Sequence, residues 1–453
     1  MSPSTEKLDN CYCVQLRYLF LILCLILTSY FYIYIKRKQF KNITTKIPTV
    51  VGLPFIGIAY KLIPIKRFLY RISSYFEEFN TSTYCAWLGT YPVIVTIDPD
   101  IIKTVTSSPE FLNKAEVLYN PIDKAIPKGI ITSEVHTWKH NRKLINTYFN
   151  NKLLMSLIPL FNRGANTSVK RLSKLSNGGE HKLFDLIKRG TLEIAIEATM
   201  GIDMSEGACE NYELIDSFTV LMERIAKDAA CSTLGLGFLA RTPGYYKARR
   251  FLRNYMNKSF ETVATAIYSG LVMLSMHSDV QEKLFQEIHS IWPEKDIHVT
   301  YEHLKDVPYL DMVMSETLRL MPSIPIVGRQ AIHQTKLTSE LILPPKIQVI
   351  VPIFSLHRAE TWWGPKAHLF NPENFLPETI AKRNPYVYMP FSKGARNCIG
   401  WRYAEIVVRI LLIVLVRNFK FTTSFKYQDL HFVDHVSLWY DVEPNLSIEL
   451  RKI

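Results

Sequence analysis

The sequence predicts a mainly α-helical protein with a small β region and one membrane-spanning helix near the N-terminus. Residues 18–35 carry no charge, most of the remaining chain reads as helix, and runs rich in β-branched and aromatic residues are short. Apolar residues make up 48% and charged residues 21% of the 453 residues, which is typical of a globular protein with a sizeable core.

The uncharged run from Tyr18 to Ile35 predicts a membrane anchor. As a helix it spans about 27 Å, enough to cross the hydrocarbon core of a bilayer. Arg17 precedes the run, whereas four cations follow it closely: Lys36, Arg37, Lys38 and Lys41. The positive-inside rule then places residues 1–17 in the lumen and the rest of the chain in the cytoplasm. We expect an uncleaved anchor, because a cleaved signal has a shorter apolar core and small residues before its cleavage site.

Residues 36–57 are basic and rich in proline, and they predict a stiff hinge between the anchor and a single folded domain, residues 58–453. Within that domain, residues 61–80 read as a helix. The runs Thr83–Leu88 and Tyr91–Ile97 predict a hairpin. Asp98, followed by proline, predicts the cap of a further helix.

The charge balance is basic, with 54 Lys and Arg residues against 41 Asp and Glu residues. These cations are dispersed and show no nucleic-acid-binding motif, so we expect no nucleic-acid partner and favour anionic lipid or an acidic protein. The seven cysteines are scattered and odd in number, which argues against a disulfide framework and for a reducing compartment.

The most informative stretch is 391–400, which reads Phe-Ser-Lys-Gly-Ala-Arg-Asn-Cys-Ile-Gly. Cys398 follows Arg396 by two residues, and an apolar helix pattern begins just after it at Trp401. Positive charge and a helix N-terminus favour a thiolate, and hence a metal ligand. Gly394 permits a tight turn, and Gly400 permits close approach of the backbone to a flat partner. The alternative is a buried structural cysteine in an ordinary turn.

The spacing Phe-x-x-Gly-x-Arg-x-Cys-x-Gly resembles the haem-binding loop of the cytochrome P450 monooxygenases. This resemblance implies the mainly helical cytochrome P450 fold with haem b, whose iron Cys398 would bind. Phe391, Arg396 and Gly400 would contact the haem. The segments 375–378 and 384–391 are similar to the microsomal, insect-type branch related to fatty-acid ω-hydroxylases.

Further motifs of that family occur in the expected order. Trp138 and Arg142 match its Trp-x-x-x-Arg, and Arg329 matches a strand residue; the resemblance implies that all three bind haem propionates. Glu316 and Arg319 could form an ordinary surface salt bridge, but in the family this Glu-x-x-Arg pair is buried. Asn374 stands where the family usually has arginine, and would supply an amide.

The sequence departs from the family before residue 261. Glu261 and Thr262 match the acid and the threonine of its oxygen-side helix, which implies a role in proton delivery. Lys258 and Ser259 do not match, and the first half of that helix is missing, so we expect an internal deletion before Ser259. Lys258 also stands where the branch with covalently attached haem has glutamate, which predicts noncovalent haem apart from the bond to Cys398.

The resemblance implies a monooxygenase that inserts one oxygen atom from O₂ into a lipophilic fatty acid, hormone or xenobiotic. Electrons would come from NADPH through the membrane-bound cytochrome P450 reductase, with cytochrome b5 as a further candidate, at the endoplasmic reticulum membrane. Pocket walls are expected at residues 115–130, Ile324–Val327 and Val436–Trp439. The rival hypothesis is a truncated haem-binding remnant without this activity. A zinc or nucleic-acid protein is a third class with little support.

Overall fold

The computed structural model describes residues 3–62, 65–89, 91–125, 129–147, 149–201, 224–225, 227–228, 243, 246, 261–294 and 298–452. The predicted deletion before Ser259, and Lys258 beside it, lie outside these described residues. Helices are α1 Pro3–Gln39, α2 Lys41–Thr44, α3 Phe68–Glu78, α4 Pro99–Ser107, α5 Glu116–Ala125, α6 Val135–Asn146, α7 Asn151–Ser156, α8 Ile158–Ser173, α9 Phe184–Met200, α10 Glu261–Met276, α11 Ser278–Ile291, α12 Pro308–Leu320, α13 Ile353–Leu356, α14 Glu360–Trp363, α15 Pro377–Lys382 and α16 Trp401–Asn418.

Strands are short and gather into several sheets. They are β1 Thr49–Val50, β2 Thr83–Leu88, β3 Tyr91–Thr96, β4 Asn113–Lys114, β5 Glu180–His181, β6 Ile326–Gln330, β7 Thr335–Lys336, β8 Ile342–Leu343, β9 Gln348–Pro352, β10 Phe419–Thr422, β11 Phe432–His435, β12 Ser437–Tyr440 and β13 Leu446–Leu450. The largest sheet has the order β1-β2-β3-β9-β6-β4. The prediction of a mainly helical protein with a small β region is confirmed, although strands also form near the C-terminus.

The N-terminal helix is longer than the uncharged run, because the lysines and arginine that follow are good helix formers. Within α1, Leu16–Gln39 has a mean hydropathy of 2.1 and only 6% of its most apolar window is buried, which suggests a membrane anchor. At its end, Arg37 donates to the carbonyls of Gly52 and Leu53 at 3.4 Å each, and packs over the Trp87 ring. The hinge is therefore held against the folded domain.

The predicted elements near the N-terminus form with one change. The hairpin of β2 and β3 pairs Thr83 with Thr96 through to Leu88 with Tyr91. The Asp98 carboxylate caps α4 by accepting from the Asp100 and Ile101 amides at 2.9 and 3.1 Å. The helix predicted for residues 61–80 is regular only as α3. The described residues before it form short 3-10 turns at Ala59–Leu62 and Ile65–Arg67.

The core is built around α10 and α16. Almost every described residue of α10 is buried, as expected of a helix that is apolar on all sides. It packs against α9, α12 and α16, and the hairpin of β11 and β12 also lies against it. Because α16 begins directly after Gly400, the cysteine stretch lies at the N-terminal end of a central helix.

Candidate functional site

The segment from Phe391 to Gly400, here called the cysteine loop, is fixed by its own backbone. The Cys398 amide donates to the Phe391 carbonyl at 2.9 Å, and the Asn397 amide donates to Gly394 at 3.1 Å. Gly394 has a φ of +73°, and a Cβ added there would lie 1.7 Å from the Thr106 carbonyl oxygen. Only glycine fits this turn, as the sequence predicted. At Gly400 the nearest atom to an added Cβ is 3.6 Å away, on the Phe149 ring.

Helix α6 presents Trp138 and Arg142 to the cysteine loop. Arg142 donates to the carbonyl and to the side-chain oxygen of Asn397 at 2.8 and 2.7 Å. Trp138 is buried, and the Arg396 guanidinium lies 4.3 Å from the centre of its ring. The structure therefore brings Trp138, Arg142 and Arg396 together. Arg142, however, forms its hydrogen bonds with Asn397, the residue before Cys398. This contact was not predicted.

Two of the three guanidinium nitrogens of Arg396 donate hydrogen bonds to backbone carbonyls, and the third is free to donate to a ligand. Its Nε donates to the Leu112 carbonyl at 2.9 Å, and one terminal nitrogen donates to the Ser133 carbonyl at 2.8 Å. The other terminal nitrogen, Nη1, is buried without a partner among the described residues. A buried guanidinium N–H without an acceptor is costly, so Nη1 points to an anionic ligand.

A second pair of cations comes from neighbouring strands, since Lys114 of β4 pairs with Arg329 of β6. Arg329 is 2% exposed and donates to the Ser392 hydroxyl at 3.3 Å. The Lys114 ammonium donates to the Tyr119 hydroxyl at 3.3 Å. Burial, together with Arg329 and Arg396 nearby, holds the pKa of Lys114 well below its ordinary value. Lys114 was not predicted, and no local motif marks it, because only long-range strand pairing brings it here.

Lys114, Arg142, Arg329 and Arg396 together form what we call the cationic cluster. None of them forms a salt bridge with a carboxylate within the described ranges. Clustered cations out of water are unfavourable unless an anion joins them. The cluster beside Cys398 therefore fits a cofactor that carries carboxylates and a metal, and haem has both.

Cys398 is exposed to solvent, although protein atoms make up most of the surroundings of its thiol. Burial raises its pKa, and the Gly400 amide, Arg142 and Lys114 oppose this rise without cancelling it. The backbone amide at the helix end and the nearby positive charge favour the thiolate, as the sequence predicted, but desolvation is the larger effect. Binding to a metal ion would remove the proton.

Glu316 and Arg319 of α12 are both fully buried. Arg319 Nε and Nη2 donate to the two Glu316 carboxylate oxygens at 2.7 Å each. The remaining Glu316 lone pairs accept from the Asn371 amide at 2.8 Å and from the Asn374 side-chain nitrogen at 3.1 Å. The structure thus places the Asn374 amide where the sequence suggested, on the buried carboxylate.

His357 extends this buried network. The Met389 amide donates to His357 Nε2 at 3.0 Å, so this nitrogen must be unprotonated, and Nδ1 lies 3.2 Å from the Arg319 carbonyl oxygen. Burial lowers the pKa of His357 to about 3, and the neighbouring Arg319 acts in the same direction.

We expect His357 to lower the stability of the folded state as the pH falls from about 6.5 toward 3, by about 1.4 kcal/mol for each pH unit, against an opposite contribution from the buried Glu261 carboxyl, whose pKa is raised to about 7. In the unfolded chain the histidine binds a proton below about pH 6.5, whereas in the folded protein His357 binds one only below about pH 3. Urea unfolding at pH values across this window would measure the slope. In His357→Gln the part of the slope due to this residue should vanish, and an unchanged slope would contradict its assignment to His357.

On the other side of the core, Glu261 opens α10 and is 2% exposed. Its Oε1 lies 3.8 Å from Lys188 Nζ on α9 and accepts no hydrogen bond from a described residue. Burial raises the pKa of Glu261 to about 7, although Lys188 opposes the rise. The next residue, Thr262, accepts at its carbonyl from the Ser323 hydroxyl at 2.9 Å.

Lys188 is a second residue that the sequence reading missed. It is 1% exposed, and its ammonium lies 5.5 and 5.1 Å from the ring centres of Phe184 and Trp439. A signal was present, because Lys188 shares the helical spacing of the buried positions Thr191, Leu192 and Ala195. A lysine on such a face needs a partner inside the protein.

Comparison with known proteins gives consistent matches. The family model described as Cytochrome P450 matches residues 47–249 and 247–435. Probable cytochrome P450 313a4 of Drosophila melanogaster is 30% identical over 474 residues, covering 92% of this chain and 96% of that protein. Probable cytochrome P450 313a3 of the same organism is 32% identical over 480 residues, with coverages of 93% and 97%. Cytochrome P450 4V2 of Pongo abelii is 26% identical over 456 residues, with coverages of 85% and 86%.

The matches also bear on the region before residue 261. The family model matches in two segments that meet at residues 247–249, rather than in one. The alignment with the 313a4 relative runs over 474 positions, more than the 453 residues of this chain, so parts of that relative lie opposite gaps. The position at which the two segments of the family match meet agrees with an internal deletion before Ser259.

Proposed function

Because the chain belongs to the cytochrome P450 family, whose members are haem-thiolate monooxygenases, we propose that it inserts one oxygen atom from O₂ into a lipophilic small molecule. Fatty acids, hormones and xenobiotics are the candidate substrate classes. The observation that carries this proposal is the cationic cluster beside Cys398, which lacks carboxylate partners within the described ranges. Haem, once bound to a cysteine sulfur, supplies the oxidising chemistry.

The residues present fit haem b held without further covalent attachment. Cys398 would bind the iron, while Arg396 Nη1, Arg329 and Lys114 would neutralise the propionates. Trp138 would orient Arg396 through the ring contact. Phe391 and Gly400 would contact the macrocycle from the cysteine loop. For Arg142 we propose a different role from the predicted propionate contact, namely to fix Asn397 and with it the position of the thiol.

Glu261 and Thr262 are proposed to supply protons on the oxygen side. With a pKa near 7, the Glu261 carboxyl can hold and release a proton at Oε1 at neutral pH. The Thr262 hydroxyl is the neighbouring group through which that proton would travel. Lys188 limits the rise of the Glu261 pKa and keeps it in the useful range.

We expect Glu261→Gln to lower the rate of product formation by about 100-fold, because an amide cannot pass on a proton. The ratio of product formed to NADPH consumed would measure the effect, since electrons would then be lost to unproductive reduction of O₂. Glu302→Gln, which changes an exposed glutamate, is the matched control. Unchanged coupling in Glu261→Gln would remove this residue from the proton path.

Electrons are proposed to come from NADPH–cytochrome P450 reductase, with cytochrome b5 as a second candidate donor. Beyond the cysteine loop, a cleft of about 150 Å³ is lined by residues that include Trp401, Arg402, Glu405 and Arg409. Arg409 is paired with Asp311 at 2.7 Å. Arg402 is exposed, so this face could meet an acidic protein. We also propose that α1 anchors the chain in the endoplasmic reticulum membrane, with residues 1–17 in the lumen, 18–35 in the bilayer, 36–57 as hinge and 58–453 as the cytoplasmic domain.

A second candidate is a haem-binding remnant without monooxygenase activity, which the two-part family match favours. Two measurements on the full chain separate the hypotheses. A ferrous carbonyl spectrum at the longer wavelength of a thiolate complex would support haem-thiolate binding. Turnover with the reductase and a panel of lipophilic substrates would then support the enzyme, whereas a thiolate spectrum without any turnover would support the remnant. Absence of that spectrum would refute the haem-thiolate enzyme.

A further inference from the structure

Lys188 is a buried cation whose surroundings come from three segments of the chain. It lies in α9 and is 1% exposed. The ring of Phe184, one helical turn earlier, has its centre 5.5 Å from the Lys188 ammonium, and the Trp439 ring of β12 has its centre 5.1 Å away. The third neighbour is Glu261 of α10, whose Oε1 lies 3.8 Å from the ammonium. An ammonium group is costly to bury, so contacts such as these must compensate for the water it has lost.

The rings of Phe184 and Trp439 together form what we call the aromatic clamp. A cation is attracted to the faces of aromatic rings within about 6 Å of their centres, and more strongly out of water. The two rings contact each other edge to face, with centres 5.8 Å apart and planes at 79°. The Trp439 indole N–H donates to the Ser437 hydroxyl at 2.9 Å on the same strand, which fixes the orientation of that ring. The position of the ammonium is therefore set jointly by α9 and β12.

Further aromatic contacts hold the aromatic clamp against α10. The Tyr268 ring of α10 has its centre 5.2 Å from that of Phe184. The Tyr440 ring of β12 is perpendicular to the Tyr268 ring at 5.6 Å, and its hydroxyl donates to the Ser269 hydroxyl at 2.9 Å. These contacts keep α9, α10 and β12 at fixed distances from one another. The ammonium is thus held near the Glu261 carboxylate by packing as well as by charge.

The separation of Lys188 and Glu261 is longer than a hydrogen bond. At 3.8 Å, Lys188 Nζ attracts the carboxylate without donating to Oε1, which accepts no hydrogen bond from a described residue. Attraction by a nearby charge favours the ionised form of a buried carboxyl, and a direct hydrogen bond would favour that form further. The observed geometry therefore compensates part of the cost of burial and leaves Oε1 able to take up and release a proton.

Other charged groups on the helices around Glu261 pair with one another. They are Arg189 with Glu193 and Arg163 with Glu197 at α9, Arg451 with Glu282 at α11, Arg319 with Glu316 at α12, and Arg409 with Asp311 at α16. Beyond β12, Glu443 accepts from the Phe184 amide at 3.2 Å and lies near Asp185. Among the described residues, Lys188 is the only charged group that acts on the pKa of Glu261, which burial raises to about 7.

We propose that Lys188 is a positioning residue for Glu261, and that Trp439 acts through it by holding the ammonium beside the carboxylate. This inference rests on the proposed delivery of protons by Glu261 and deepens it. Without the cation, burial would raise the pKa of Glu261 further, and the carboxyl would keep its proton at neutral pH. The C-terminal hairpin thus contributes to proton delivery through the ring of Trp439.

Infrared spectra of the full-length, haem-loaded chain in lipid nanodiscs, recorded over a series of pH values, test the proposal. The band of the protonated Glu261 carboxyl is the one that Glu261→Gln removes, and its midpoint in the wild type is expected near pH 7. We expect Lys188→Met to raise this midpoint by at least about one pH unit, because a cation about 4 Å from a buried carboxylate is lost. Trp439→Leu should raise it by less, since the lysine remains. Lys188→Arg and Trp439→Phe, which keep the charge and the ring, should stay close to the wild type.

Lys283→Met is the matched control, because Lys283 also lies over an aromatic ring, that of Tyr309 at 4.3 Å, but is exposed on α11. It should leave the midpoint unchanged. Equal midpoints in Lys188→Met and the wild type would overturn the proposal. Should Lys188→Met fail to fold, Trp439→Leu decides in the same way, since it leaves every charge in place. The ferrous carbonyl spectrum and turnover report the proposed function separately, so a shifted midpoint in a protein without turnover would count against that function and not against Lys188.

Discussion

Replacing Cys398 with alanine is expected to abolish the thiolate signature of the ferrous carbonyl complex and, with it, all measurable monooxygenation. The cysteine loop places this thiol beside the cationic cluster, and no other described cysteine lies there. Without the sulfur, haem would keep contacts to cations but lose the electron-donating ligand that favours O–O cleavage. Difference spectra of the reduced, carbon monoxide-treated protein, with haem content measured in parallel, would show the loss.

Cys24→Ala is the matched control, because Cys24 lies in the apolar helix α1, far along the chain from the loop. It should keep both the thiolate band and the haem content of the wild type. Should Cys398→Ala retain the wild-type band, another ligand would hold the iron and the proposed site would be incorrect. A variant that binds haem with a shorter-wavelength band would still support Cys398 as the sulfur ligand.

The features that could be predicted from the sequence involve residues that are close to one another along the chain. The turn at Gly394, the start of α16 after Gly400 and the pairing of Glu316 with Arg319 each involve residues within one loop or one helical turn. Local chemistry determines such features, so a motif a few residues long is enough to place them.

The features that were missed depend on contacts between distant segments. Lys114 meets Arg329 only because β4 pairs with β6, and Lys188 meets Glu261 only because α9 packs against α10. For Cys398, the sequence showed the nearby positive charge and the helix N-terminus, both of which lower the pKa of the thiol. It did not show that desolvation raises this pKa by more. The contact between Arg142 and Asn397 was missed for the same reason, since the two residues meet only in the folded chain.

Removal of one partner of the buried pair on α12 is expected to destabilise the fold by about 3–5 kcal/mol. In Arg319→Met the Glu316 carboxylate would stay buried with only the Asn371 amide and the Asn374 side chain as donors. The carbonyl oxygens of His357, Ala367 and Leu369 would also lose their donors. A loss of this size is comparable to the total stability of many domains, about 5–15 kcal/mol, so we expect little soluble haem-loaded protein.

Arg71→Met is the matched control, since it removes the same side chain from a pair that is about half exposed, Arg71 with Glu78 at 3.1 Å. Exposed pairs contribute at most about 1 kcal/mol, so this variant should fold normally. Glu316→Leu combined with Arg319→Met should recover part of the stability lost in the single variant, because no buried charge is left unpaired. Denaturant unfolding of the three variants would measure their free energies of unfolding. If Arg319→Met is no less stable than Arg71→Met, the buried pair does not hold the core together.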